Sequence, residues 1–286
     1  MPADAGLLVV LGAIAFAGGV AVTSVGPGGI FVVAALYGLT ALPTAVVAGT
    51  SSVTFVGGSV LGAIGYVRSG DMDWALALII GIGGALGTRL GVPLDSVVSR
   101  QSFGLLLGVV LGAVGVTIVL RERGVLGRLP TLDVAPTSTA GIAVFGVIGL
   151  AIGTAGGLFG IGGAALVLPA LVSAGVPIIT VLAVTQIAVV FIASAAAVSY
   201  TLVGAIAVPL VFVVSVAYVV GALIGWRLAK HVDPSRLVGL LGSMLIALTW
   251  YSSTVRCRCN RSGSRPVRWR DDRSRAARGV AVSDGR

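Results

Sequence analysis

Two glycine clusters are the residues of this chain whose types and spacing best suit chemistry. They are Gly26-Pro27-Gly28-Gly29 and Gly160-Ile161-Gly162-Gly163. The flanking runs are apolar enough for a lipid bilayer, where an unwound backbone is tolerated only inside protein or beside a wet cavity. The amides that open the following helix lie at the positive end of its dipole, and glycine lets a ligand approach them. The clusters predict an anion site; the alternative is that glycine only lets helices cross closely.

A second set of polar residues follows a proline in each half of the chain. Pro43 precedes Gly49-Thr50-Ser51-Ser52, and Pro177 precedes Thr185-Gln186. Hydroxyl and amide groups deep in a membrane span bond to their own helix, to a neighbouring helix or to a ligand. Thr50, Ser51, Thr185 and Gln186 are therefore candidate substrate ligands. Gln186 is the strongest candidate, because its amide has both donors and an acceptor to satisfy.

Two arginines and two tyrosines stand near the ends of apolar runs. Arg89 and Arg227 follow similar glycine-rich strings. They predict either interfacial side chains that extend toward lipid headgroups or a cationic vestibule that attracts anions. Tyr66 and Tyr200 end two further runs and are expected to be interface aromatics.

The acids and the single histidine argue against other chemistries. The acids before residue 256 lie in loops or at run ends: Asp4, Asp71, Asp73, Asp95, Glu122, Asp133 and Asp233. His231 lies in a loop beside Lys230. The apolar runs therefore hold no carboxylate relay for protons, no ligand set for a metal cation and no base or nucleophile for catalysis. We expect no cofactor and no enzyme activity.

The composition identifies the solvent in which these residues act. The chain has 286 residues, of which 57% are hydrophobic and 10% are charged. A soluble domain carries about 25% charged residues. At about 20 apolar residues per span, the chain has the length for about eight to ten membrane helices.

Ten apolar runs fall into two groups of five, separated by a polar connector at 121–139. The runs are 6–22, 30–42, 45–67, 74–88, 103–120, 140–159, 164–174, 178–203, 205–226 and 237–251. The second run of each group is too short to cross a bilayer of ~30 Å as a straight helix. We therefore predict an all-α polytopic membrane protein. It has two tandem related repeats, each with about four spanning helices and one short, broken or re-entrant segment.

A shift of 134 residues aligns the two groups, and it pairs Pro43 with Pro177 and Tyr66 with Tyr200. We assign 1–134 to the first repeat with its connector, 135–255 to the second repeat and 256–286 to a tail. If the short runs do not cross, the repeats are parallel with eight crossings; if they cross, the repeats are inverted with ten. Positive-inside counting favours eight when the tail is included and ten when it is not, and we favour eight.

Most of the net charge of +9 lies in the tail, which has ten Arg and three Asp. A basic flank after a last membrane segment predicts attraction to anionic lipid. The alternative is that the segment is not native in character, for instance translated out of frame. With one aromatic, Trp269, and no folded motif, the tail does not predict nucleic-acid binding.

The paired motifs resemble the TauE/SafE sulfite exporter family, also called the TSUP permeases, from about residue 7 to 251. The resemblance is carried by both glycine clusters, Pro43, Gly49-Thr50-Ser51, Leu168-Pro169-Ala170-Leu171 and Thr185-Gln186. It implies a multi-pass plasma-membrane protein of two related halves that moves sulfite or small organosulfur and organic anions, usually outward. The chain departs from the family pattern at Pro27, at Ala35, which aligns with Pro169, and in the tail.

These observations favour a secondary transporter whose partners are a small anion and the lipid bilayer. The rival hypothesis is a membrane scaffold or accessory subunit in which the glycines only pack helices. A membrane enzyme ranks third, because the runs contain no candidate base or nucleophile.

Overall fold

The computed structural model describes residues 5–24, 28–70, 72–122 and 136–229, and these ranges form helices and no strand. The helices are α1 (Ala5–Ser24), α2 (Gly29–Leu39), α3 (Thr44–Ser69), α4 (Trp74–Asp95), α5 (Arg100–Glu122), α6 (Thr139–Phe159), α7 (Ala164–Ser173), α8 (Ile178–Leu202) and α9 (Val208–Ala229). Within these ranges α1, α3, α4, α6, α8 and α9 are long and apolar enough to cross a membrane. The all-α polytopic prediction is confirmed. The tenth run, the tail and Gly26 lie outside the described residues.

The short helices α2 and α7 run back along the helices that precede them. With 11 and 10 residues, they are about 16 Å and 15 Å long at 1.5 Å per residue, so neither spans a bilayer as a helix. A Cβ placed on Gly18 of α1 would lie 2.9 Å from the Gly28 oxygen and 3.4 Å from Val32. A Cβ placed on Gly156 of α6 would lie 3.0 Å from the Gly163 nitrogen. Each pair therefore forms a tight helical hairpin.

Two further helix pairs, α4 with α6 and α1 with α9, pack backbone against backbone. A Cβ placed on Gly87 or Gly91 of α4 would overlap the carbonyl oxygen of Leu150 or Thr154 on α6. On α9, Gly221 and Gly225 face the carbonyls of Phe16 and Val20 in the same way. Residue numbers rise together across both contacts, so each pair is parallel. Small residues allow this approach, as is common in membranes.

The long helices α3 and α8 are antiparallel. Gly49, near the start of α3, packs on Tyr200 near the end of α8, whereas Gly62 packs on Gln186 near the start of α8. Eight crossings in parallel repeats would give α3 and α8 the same direction, so that prediction is wrong. The short helices return the chain far enough for α3 to follow the direction of α1. Charge counting missed this because it gave weight to the tail.

The order long, short, long, long occurs twice along the described chain. Shifting α3 and α4 by 134 residues gives 178–203 and 208–229, against Ile178–Leu202 and Val208–Ala229. Shifting α1 gives 139–158, against Thr139–Phe159. The helix bounds thus recur at the shift that aligns the sequence motifs.

Candidate functional site

The two glycine clusters meet at the ring of Phe55, midway along α3. A Cβ placed on Gly29 would lie 3.2 Å from this ring, and one placed on Gly162 would lie 3.3 Å from it. Phe55 is 1% exposed, and its ring centroid lies 5.3 Å from that of Tyr218 on α9. The fold thus brings glycines from distant parts of the chain to one buried side chain.

Two helices begin at this ring, α2 at Gly29 and α7 at Ala164. Their N-cap residues, Gly28 and Gly163, supply no side-chain hydrogen bond to the first turn. The first-turn amides of a helix have no carbonyl partner within the helix, and the dipole makes this end positive. The amides of Phe31 and Leu166 donate to the N-cap carbonyls, so the first two amides of each helix remain as donors at its positive end.

The glycines of the clusters meet different surroundings. A Cβ on Gly28 would overlap the backbone of Gly18, and one on Gly160 would overlap the backbone of Ala48. These two positions require glycine for close packing. In contrast, Gly29 and Gly162 face the Phe55 ring, and Gly163 faces Ile192 at 2.8 Å. Gly162 also has a φ of 68°, which residues with a side chain rarely adopt.

The hydroxyl candidates on α3 are already bonded within the protein. Ser51 donates to the Val47 carbonyl at 2.8 Å, the ordinary behaviour of serine in a helix. Thr50 accepts a hydrogen bond from the backbone N–H of Ala207, just before α9, at 3.2 Å. Both residues precede Phe55 by about one turn, toward the end of α3 that packs on Tyr200. Their hydrogen bonds hold α3 to itself and to the start of α9.

The candidates on α8 are different, because they retain unused hydrogen-bonding atoms. Gln186 Nε2 donates to the carbonyl of Val22 in the last turn of α1 at 3.0 Å. Among the described residues, Gln186 Oε1 and Thr185 Oγ1 have no hydrogen-bond partner, and both side chains are fully buried. Val22 packs against Gly28. Gln186 therefore links the second half of the chain to the first glycine cluster.

Ser59 is a buried polar residue that sequence reasoning missed. It is 0% exposed, and its Oγ also lacks a partner in the described part of the chain. Ser59 lies one turn after Phe55 and one turn before Gly62, on the α3 face that meets Gln186. The repeat pattern pairs Ser59 with Ala193, so a search for residues shared by both halves passes over it. Its helical spacing from Phe55 is the signal that identifies it.

Tyr66 and Tyr200 stabilise the helix ends that precede the clusters. Tyr200 donates to the Gly157 carbonyl in the last turn of α6 at 2.9 Å, and Tyr66 donates to the Thr23 carbonyl in the last turn of α1 at 3.1 Å. Carbonyls at a helix end lack partners within the helix, so these bonds satisfy them. Tyr200 is 1% exposed, and the expectation that it is an interface aromatic is wrong.

The two arginines lie away from this centre. Both are exposed, Arg89 six residues before the end of α4 and Arg227 two residues before the end of α9. Helix α4 is parallel to α6, and α9 is parallel to α1. Since α3 and α8, which follow α1 and α6 in their halves, are antiparallel to each other, α4 and α9 run in opposite directions. Arg89 and Arg227 are therefore near opposite ends of the bundle and do not form one entrance.

Comparison with known proteins adds an independent finding. Residues 11–251 match the sequence model of a family described as "Sulfite exporter TauE/SafE". A "Probable membrane transporter protein" of Xylella fastidiosa strain 9a5c is 26% identical over 206 residues, which is 71% of this chain and 77% of the relative. Its counterpart in strain Temecula1 is 27% identical over 209 residues, with the same coverage. No solved structure matches the chain.

Proposed function

The chain belongs to the sulfite exporter TauE/SafE family, and from that premise we propose that it moves a small anion such as sulfite or an organosulfonate through the region around Phe55. Family membership and the transporter relatives make it a multi-pass plasma-membrane transporter and not an enzyme. The observation that carries the proposal for the anion is the meeting of two helix N-termini at one buried ring. Oriented amides at such ends favour negative charge.

Unpaired buried polar atoms on α3 and α8 support the same proposal. Hydroxyl groups of Ser59 and Thr185 are buried donors with no protein partner among the described residues. A buried polar group without a partner is costly, and an anion would accept hydrogen bonds from both hydroxyls. Helix dipoles and hydroxyls together supply donors without a fixed positive charge, which suits a site that must release its anion.

Gln186 adds one acceptor to this set of donors. Because its Nε2 donates to the Val22 carbonyl, the amide orientation is fixed and Oε1 is left as an acceptor. An oxyanion that carries one proton supplies both a negative charge for the donors and an O–H group for Oε1. We therefore expect hydrogensulfite to fit this site better than a fully deprotonated dianion.

We further propose that the chain consists of two inverted repeats. Support comes from the helix bounds, which recur at a shift of 134, and from the opposite directions of α3 and α8. The contact of Gly87 with Leu150 also has a counterpart between Gly221 and Phe16. Gly221 lies 134 positions after Gly87, and Phe16 lies 134 positions before Leu150. Inverted repeats are the usual basis of alternating access around a fixed central site. The buried Phe55 ring lies between Gly29 and Gly162, where we propose that the central site is.

The test is flux of labelled sulfite into proteoliposomes that contain the purified protein. We expect Ser59→Ala and Thr185→Val each to lower flux by about ten- to hundredfold, since a hydrogen bond to a charged group contributes about 1.5–3 kcal/mol. Gln186→Leu should lower hydrogensulfite flux more than flux of a dianion. Ser199→Ala is the matched control, because its hydroxyl bonds to the Ala195 carbonyl of its own helix.

Two outcomes would contradict the proposal. Equal flux in Ser59→Ala, Thr185→Val and the Ser199→Ala control would show that the anion does not bind beside Phe55. No protein-dependent flux of any small anion, from folded protein, would favour the membrane scaffold instead.

A further inference from the structure

Asp95 is a buried carboxyl group that the anion site does not use. It is the last residue of α4 and is 4% exposed. Its carboxyl group accepts a hydrogen bond from the side chain of Thr44, the first residue of α3, while Oδ1 has no partner among the described residues. Asp95 lies at the end of α4, outside the apolar run, as the sequence indicates, and it is nevertheless buried. The adjoining ends of α3 and α8 cover the carboxyl group.

No cation in the described ranges forms an ion pair with this carboxyl group. The nearest cationic residue along the chain is Arg100, at the start of α5. Its guanidinium donates to the carbonyls at the end of α2, namely those of Tyr37, Thr40 and Leu42. Its Cζ also lies 4.7 Å from the centre of the Tyr37 ring. Arg100 is therefore committed to the end of α2.

The other helices around Asp95 bring no further charge. On α4 the preceding charged residue is the exposed Arg89, and on α3 the only charged residue is Arg68, at the opposite end. On α8 the titratable group facing Asp95 is the phenol of Tyr200. The segment 203–207 and the last turn of α6 contain no titratable residue. Within the described ranges Asp95 is thus an acid without an ion-pair partner in a largely apolar junction, where a charge is costly.

The second half of the chain has neither of these groups at the corresponding positions. At a shift of 134, Thr44 corresponds to Ile178, where α8 begins, and Asp95 corresponds to Ala229, where α9 ends. The same helix boundaries therefore form with neither a hydroxyl nor a carboxyl group. The helix boundaries themselves therefore do not require Asp95, which leaves room for a role other than ending α4.

Asp95 is linked by contacts to the second glycine cluster. Val92, one turn before Asp95, packs on a small apolar cluster that contains Ala48 and Tyr200. Tyr200 bonds to the Gly157 carbonyl, and Ala48 packs against Gly160. Asp95 is therefore joined by packing contacts and one hydrogen bond to the end of α6, directly before the second cluster.

We propose that Asp95 is a proton-binding site that couples anion transport to proton movement. One proton from water adds to Oδ1 in the conformation that buries the carboxyl group, and it leaves when α3 and α4 separate at this end. The Oδ1–H bond forms as one O–H bond of a hydronium ion breaks, and on release the proton returns to water. The coupling to an anion rests on the proposed function, whereas the proton site does not.

The experiment uses full-length protein in proteoliposomes with labelled sulfite and an imposed pH gradient. Wild-type protein should accumulate sulfite under the gradient. Asp95→Asn, which keeps an acceptor for Thr44, should lose this accumulation but retain sulfite exchange at equal pH. Asp95→Glu should recover part of the accumulation. Asp73→Asn is the matched control and should behave as wild type, because Asp73 only accepts a hydrogen bond from the Leu76 N–H at the start of the same helix.

A second measurement tests the proton site without any anion. Infrared difference spectra after a pH jump should show the C=O band of one buried protonated carboxyl group in wild type, shifted in Asp95→Glu and absent from Asp95→Asn. Absence of this band from wild type would overturn the proposal, and so would accumulation in Asp95→Asn equal to wild type. Accumulation driven by a sodium gradient but not by a pH gradient would also overturn it, in favour of a cation site. Loss of all sulfite exchange in wild type, with the band present, would contradict only the proposed function.

Discussion

The contact between α4 and α6 and the region around Phe55 use glycine for opposite purposes. In the contact, Gly87 and Gly91 face backbone carbonyls, and no side chain could fit there. Around Phe55, Gly29 and Gly162 face an aromatic side chain instead of backbone. The first arrangement holds two helices together, whereas the second places two helix N-termini beside one buried ring. In this transporter the role of a glycine depends on which atoms a side chain at that position would meet.

The largest expected effect is at the contact between α4 and α6. Gly87→Leu places a side chain where the Leu150 carbonyl lies, so the helices must separate. We expect destabilisation of about 3 kcal/mol, at the upper end for overpacking. Thermal melting of the detergent-solubilised protein measures it. Gly146→Leu on α6 is the control, because a Cβ there meets nothing within 4 Å. Equal melting temperatures for the two variants would show that α4 and α6 do not pack as described.

A smaller change in stability but a selective loss of flux is expected at Gly162. Gly162→Ala costs about 1–2 kcal/mol for a left-handed backbone and pushes on Phe55. Gly204→Ala carries the same strain, with φ of 69°, but its Cβ meets open space. We expect both variants to melt at similar temperatures and only Gly162→Ala to lose most of its sulfite flux per folded molecule. Equal flux in both would show that Gly162 acts through backbone strain alone.

The sequence predicts the helices of this protein better than their arrangement. Apolar runs and prolines locate the helix boundaries: α3 begins directly after Pro43, and α8 begins directly after Pro177. Most faces of these helices are apolar, so the pattern does not distinguish a face toward lipid from one toward protein. The direction of α8 relative to α3 depends on how far a short helix and its extended linker return the chain, and no local pattern records that distance.

The candidate site was predictable only where both halves share a motif. The clusters with Gly28 and Gly162 stand out because they occur twice. Ser59 and Asp95 occur in one half only, and their burial depends on partners far away in the sequence. A serine in a helix ordinarily bonds to its own backbone, and an acid at a run end ordinarily faces water. Both expectations fail here because a neighbouring helix covers the side chain.

The smallest expected effect concerns the tyrosines at the ends of α6 and α1. Tyr200→Phe removes the donor to the Gly157 carbonyl, and Tyr66→Phe removes the donor to the Thr23 carbonyl. Each loss should cost about 1 kcal/mol, the usual net contribution of a hydrogen bond. Tyr200→Phe should cost the more, because Tyr200 is 1% exposed and no water replaces the lost donor.

A double variant that carries both Tyr66→Phe and Tyr200→Phe tests whether the two helix ends act together. The two tyrosines bond to α6 and α1 at opposite ends of the antiparallel α3 and α8, so their effects on melting should add. If the helix ends beside the clusters move together during transport, the double variant should lower sulfite flux by more than the product of the single effects. If the two decreases in melting temperature add and the two fold-losses of flux multiply, each helix end moves independently. A larger melting effect for Tyr66→Phe than for Tyr200→Phe would contradict the burial argument.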